Sequence, residues 1–137
     1  MKLILTLTLS ILLLHTNGQD LIEKKLEVGK YLTINQCKKG VKEFTAIDIY
    51  ARTKPYNKKQ VNMATGDGLL KTFFDDSSID AKRLPCVMGG KKYKIAALQE
   101  FNDKGINKRV VLCYTTYKLT LIWIELDKAL ELEEITY

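Results

Sequence analysis

The stretch Lys91 to Leu126, KKYKIAALQEFNDKGINKRVVLCYTTYKLTLIWIEL, constrains the fold more than any other part of the chain. Tyr93 to Glu100 and Val110 to Tyr117 are both rich in apolar and β-favouring residues, and a turn-forming cluster at Asn102 to Asn107 separates them. A period of two is the pattern of a strand with one buried face. A connection as short as 102–107 cannot carry a parallel crossover, so the two runs must pair antiparallel, and Gly105 supplies the positive φ that such a turn needs. Beyond a bend at Tyr117-Lys118, Leu119 to Leu126 is apolar on both faces, as expected of a strand covered on each side. The alternation places Tyr93, Ile95, Ala97 and Gln99 on one face and Lys94, Ala96, Leu98 and Glu100 on the other. Tyr93, Ile95, Val111, Leu112 and Trp123 are the expected core of this three-stranded scaffold.

Around it the chain breaks into short elements. Tyr31 to Asn35 and Phe44 to Arg52 alternate and are expected strands, the second with Phe44, Ala46, Asp48 and Tyr50 on one face. Gly66-Asp67-Gly68 is a turn signal, after which Leu69 to Phe74 (LLKTFF) is expected to be a short strand or extended segment. Asp75 to Asp80 (DDSSID) lacks the central Gly and closing Glu of an EF-hand loop. Its Ser77 or Ser78 is expected instead to cap a helical turn over Ile79 to Leu84, stopped by Pro85. Gln19 to Lys30 is a short helix or a loose arm ended by Gly29. For 127–134 helix and strand compete, and the reading favoured is a single turn followed by a strand. The expected fold is mainly β, with α+β as the alternative: a single small antiparallel curled sheet of five or six strands, with one or two short helical turns. This succession loosely resembles small SH3-like, partly open barrels, a likeness of architecture that implies no activity.

The first eighteen residues have the form of a cleaved secretory signal peptide. Lys2 is a minimal basic region, Leu3 to Leu14 is apolar apart from small hydroxyl residues, and Thr16 and Gly18 are the small residues that precede a cut. About a dozen apolar residues fall short of the ~20 that span a bilayer. The expected product is one domain over 19–137, secreted or periplasmic, without a transmembrane anchor. Cleavage would take with it His15, the one histidine of the chain. A mature chain without imidazole excludes Ser-His-Asp and Cys-His nucleophile activation and histidine-ligated zinc. No cofactor or metal ion is expected.

Three cysteines would then enter a compartment where disulfides persist. Cys37 and Cys86 lie in loop-like segments and are the favoured pair, with Cys113, in a strand, left as a buried thiol; three separate thiols are the alternative, because spacing cannot decide pairing. Charge is segregated. From Lys24 to Lys118 there are 20 Lys or Arg against 9 Asp or Glu, whereas Glu125 to Tyr137 carries five acids and one Lys. Such a body suits an anionic partner, and it equally suits an acidic tail packed beside the basic body or a charged surface that serves solubility alone; the densest candidate surface is Lys54, Tyr56, Lys58 and Lys59 together with Lys91, Lys92 and Lys94. The leading expectation is an exported, non-enzymatic domain binding an anionic polymer or an envelope or extracellular protein through these residues. Two alternatives remain open: a small hydrolase whose carboxylates converge from among Asp48, Glu100 and Glu125, and a structural subunit of a cell-envelope complex.

Overall fold

A computed structural model describes residues 25–75 and 78–137. The expected leader, the first half of the 19–30 arm and the Ser77 cap lie outside the described residues. Among the described residues seven antiparallel strands form one curled sheet in the order β3-β2-β6-β5-β4-β1-β7. The strands are β1 (Tyr31–Ile34), β2 (Glu43–Ala51), β3 (Asp80–Pro85), β4 (Lys91–Asp103), β5 (Ile106–Tyr114), β6 (Thr120–Glu125) and β7 (Ile135–Thr136). Two short helices complete it, α1 (Leu69–Phe73) and α2 (Leu126–Glu131). The mainly-β curled sheet expected from the alternation is therefore present, with more strands than the five or six anticipated.

The central β4-β5-β6 meander follows its sequence pattern closely. Lys104 (φ 53°) and Gly105 (φ 86°) make the two-residue turn between β4 and β5, and the Asn102 side chain accepts the Gly105 N–H at 2.8 Å. Positive φ at both central residues gives a turn whose twist matches that of the flanking strands. β6 is covered on both sides as its composition requires: Ile122 and Ile124 enter the concave core and Leu121 the convex one.

Two β-bulges redirect the side chains and correct the simple alternation. In β4, Ile95 pairs with Cys113 and Ala97 with Leu112, so Ala96 is an extra residue. Tyr93 and Ile95 face the concave core, but Ala96 and Ala97 both join the convex one, and Gln99 goes with them rather than with Ile95. A second register shift in β2 lies between Glu43 and Asp48. Phe44, Ala46, Ile47 and Ile49 all enter the concave core, while Asp48 and Tyr50 turn outward opposite Trp123 and Leu121. The N–H groups freed there do not go unpaired: Thr45 and Ala46 donate to the two carboxylate oxygens of Glu134, at 2.8 and 2.7 Å. Glu134 thus ties the β7 edge back to β2 and fixes the curl.

Three local expectations are overturned. Leu69 to Phe74 is neither a strand nor an extended segment; α1 occupies Leu69–Phe73 and buries Leu69, Thr72 and Phe73, the i, i+3, i+4 face of a helical turn. Ile79 to Leu84 is not a capped helical turn but lies mostly in β3, paired with β2; the Ser78 hydroxyl lies 3.1 Å from that of Thr53. Finally, 127–134 holds a helix and not a turn and strand, because Leu126 and Ala129 drop into the concave core from α2. The last strand begins only at Ile135.

Two hydrophobic layers result. The concave one collects residues from every strand and α2. The convex one is covered by the long excursion between β2 and β3, whose Val61, Leu69 and Phe73 pack on Ala96, Ala97, Leu112 and Leu121. Gly66 (φ 79°) allows the approach: a Cβ there would stand 2.4 Å from the Ala96 carbonyl oxygen.

Candidate lysine and tyrosine groove

The excursion meets the convex face in a groove of about 280 Å³. Tyr56 and Lys58 line it from the excursion, Lys94 from β4, and Tyr114 to Thr120 from the end of β5 and its turn into β6. Each wall has a local cause. Asn57 accepts the Lys59 N–H at 3.1 Å and starts the 3₁₀ turn Lys58–Gln60, which sends Val61 into the core and leaves Lys58 exposed. Tyr56 packs edge-on against Phe73, with ring centroids 5.3 Å apart, and the Lys58 Nζ lies 5.9 Å from the Tyr56 ring, within cation-π range. Lys94 points to the convex side because its neighbours Tyr93 and Ile95 are held in the concave core.

The opposite wall is ordered by its own hydroxyls. Thr115 Oγ accepts the Tyr117 N–H at 3.0 Å and bonds Thr120 Oγ, and Thr120 Oγ donates to the Tyr117 carbonyl at 2.9 Å. Leu119 sits at φ 64°, a conformation costly to a residue with a Cβ, by about 1 kcal/mol. Its carbonyl accepts the Arg52 N–H at 2.8 Å, which holds the turn closed and presents Lys118 and Tyr117 beside the groove. Burial pushes the Tyr56 and Tyr114 phenols up, so both remain neutral hydrogen-bonding groups at neutral pH.

The seven sequence-selected residues separate here. Tyr56, Lys58 and Lys94 come together, although 36 positions part Lys58 from Lys94. Lys92 lies two residues back along β4 on the same side as Lys94, roughly 7 Å away at strand rise. Exposed Tyr31 pairs with Lys94 across the β1–β4 ladder and extends the aromatic surface. Lys54, Lys59 and Lys91 are exposed but do not line the groove. Sequence reasoning missed Lys118, Tyr114 and Thr115 to Tyr117. Their signal was the polar, aromatic run YTTYK closing β5, which reads as an ordinary bend until the excursion is folded against it.

The three carboxylates considered for hydrolysis do not form one cluster. Asp48 and Glu125 share the convex side of β2 and β6, Glu125 lying two residues along from Trp123, the partner of Asp48. Glu100 pairs with Arg109, one residue beyond the convex Gln99, and so faces the other way. Asp48 is bound by Arg83 at 3.1 Å.

The bond between Cys37 and Cys86 is formed, with Cα atoms 5.7 Å apart, and Cys113 is a buried free thiol. Burial raises the Cys113 thiol from 9.0 to about 12. Only the thiolate is nucleophilic, so a thiol-specific reagent at pH 8 should leave the folded chain unlabelled and titrate one thiol after unfolding. Because the folded-state pKa is the higher one, the unfolded state loses its proton first as pH rises. Stability from this group should therefore be complete below pH about 9 and decline toward pH about 12, a slope that Cys113→Ala removes in urea melts taken across that range.

A larger cavity of about 800 Å³ opens at one end of the concave side. Leu98, Val111, Leu126, Leu130 and Ile135 line it, and Arg109, at its rim, is already paired with Asp127 at 2.5 Å. No family model, curated protein or solved structure matches the chain significantly.

Proposed function

We propose that the chain is an exported, non-enzymatic binding domain that holds an anionic polymer in the groove between the excursion and the β5–β6 turn. The observation that carries this reading is the convergence of Lys58, Lys94 and Lys118 on one groove with Tyr56 and Tyr114. Three ammonium groups from separate segments offer an anionic partner several cationic contacts, and the phenols and threonine hydroxyls add neutral hydrogen bonds. Export rests on the leader-like first eighteen residues and is supported by the Cys37–Cys86 bond. Among the described residues no helix is long and apolar enough to cross a membrane.

Polyanion binding releases condensed counterions and weakens steeply with salt. The chain should be retained on immobilised heparin at low salt and elute as salt rises. Replacing Lys58, Lys94 and Lys118 together by Gln should remove most of that retention and lower the slope of log K against log salt by roughly two to three. The same three changes at Lys54, Lys59 and Lys91 should alter elution only slightly. Equal effects from the two sets would show that net charge, not the groove, carries binding; no retention at low salt would end the proposal.

A further inference from the structure

On the convex side, away from the lysine groove, four aromatic rings interlock. Trp123 lies 5.8 Å from Tyr50, 5.8 Å from Phe74 and 6.1 Å from Phe101, centroid to centroid, and Tyr50 meets Phe74 edge-on at 5.0 Å. The register brings them together. Asp48 pairs with Trp123 and Tyr50 with Leu121, which orients Tyr50 and Trp123 to the same side. The β4 bulge shifts the alternation so that Phe101 follows Ala97 and Gln99 onto that side. The cluster is open to solvent on one side. Here Phe101 is 37% exposed, and Trp123, Tyr50 and Phe74 are half-buried.

Charged groups of both signs surround the rings. Asp48 and Glu125 flank Trp123, Arg83 binds Asp48 at 3.1 Å, and Lys108 binds Asp103 at 3.0 Å. Burial raises the Asp48 carboxyl against the opposing pull of Arg83, and burial followed by the Asp48 charge raises the Tyr50 phenol, with a smaller push on both from Glu125. With three carboxylates against two cations the surface is close to neutral. It offers a polyanion little, and two of its carboxylates already have cationic partners. A neutral sugar suits it better. The C–H face of a pyranose is apolar and packs on an aromatic ring, while each hydroxyl both donates and accepts and so needs carboxylate acceptors and cationic donors around the same ring.

We propose that the Trp123–Phe101 surface, with Asp48, Glu125 and Arg83 at its edge, is a second binding site that takes a neutral sugar ring of a glycan. It shares none of these residues with the groove and does not depend on it. The sugar is bound rather than cleaved: Asp48 and Glu125 stand on the outer face of the sheet and not in a cleft that would exclude water.

Trp123 is the one tryptophan of the chain, so its emission reports directly on this surface. The test is a fluorescence titration of the mature chain with cellohexaose, maltohexaose and chitohexaose, beside tetramethylammonium chloride as a cationic probe. A saturable change with at least one oligosaccharide is expected, about tenfold weaker in Glu125→Gln, where a charge-assisted hydrogen bond is lost, and weaker again in Phe101→Ala. Both variants should keep the heparin elution of the parent chain, which separates failure here from failure of the groove. No response to any of the three sugars, a response to tetramethylammonium alone, or parental sugar affinity in both variants with unchanged melting would each overturn the proposal.

Discussion

Replacing Cys37 and Cys86 together by Ser should lower the unfolding free energy by about 4 kcal/mol, the chain-entropy value for closing a loop of roughly 50 residues. The bond joins the β1–β2 connection to the 3₁₀ turn Cys86–Met88 that leads into β4. Its surroundings are ordered independently of it: the Cys86 N–H donates to the Lys42 carbonyl at 2.9 Å, Gly90 N–H to the Ile34 carbonyl at 2.7 Å, and the Tyr93 hydroxyl to the Met88 carbonyl at 2.6 Å. The folded state should therefore survive the double substitution with its spectrum intact. The change falls on the unfolded chain, which becomes free to expand. Urea denaturation should show a lower midpoint and a somewhat larger m-value, because more surface is exposed on unfolding. A loss under about 1 kcal/mol would mean that the unfolded chain keeps this loop closed without the bond.

How much of this was legible in the sequence depends on how local the signal is. The β4–β5–β6 meander was readable because its apolar, β-favouring runs, its turn residues and the doubly apolar β6 all point one way. Cys37 and Cys86 were separable from Cys113 by their loop-like neighbours. The bulges were not readable. In KIAAL an unbroken alternation and a bulge at Ala96 give the same polarity pattern, and the paired alanines, small enough for Gly66 to approach, were the one hint. LLKTFF is too short for periodicity to distinguish helix from strand. It became helical because the excursion needs Leu69 and Phe73 on one side to cover Leu112 and Leu121. In 126–131 the same contest was decided by a concave core that needed a lid. Half of the candidate groove was visible as Tyr56, Lys58 and Lys94. The other half, Tyr114 and Lys118, joins them only through the docking of the excursion, and no sequence window contains both sides.

That docking depends on Arg52, and Arg52→Met should cost about 3 kcal/mol, the range for stripping donors from buried acceptors. The Arg52 side chain is 4% exposed. Its Nε donates to the Lys54 carbonyl at 2.9 Å, and its Nη1 to the Phe73 carbonyl at 2.5 Å and the Asp75 carboxylate at 2.9 Å. The guanidinium carbon also lies 5.7 Å from both the Tyr56 and Phe73 ring centroids. One side chain thus fastens the start of the excursion to the end of α1. Asp75 is 61% exposed, so its ion pair is screened and adds little; the loss comes chiefly from carbonyls left without a donor. Methionine can fill the space of the aliphatic stem but supplies no donor. Arg52→Lys keeps the charge without the planar fork that reaches separate acceptors, and should fall between the two. Because Tyr56 and Lys58 follow within six residues of Arg52, Arg52→Met should also loosen one wall of the groove. Protease cleavage within 53–68 should quicken and heparin elution should shift to lower salt. If Arg52→Met melted with the parent chain, the excursion would have to be held by Val61, Leu69 and Phe73 alone, and the coupling between this buried cation and the groove would not exist.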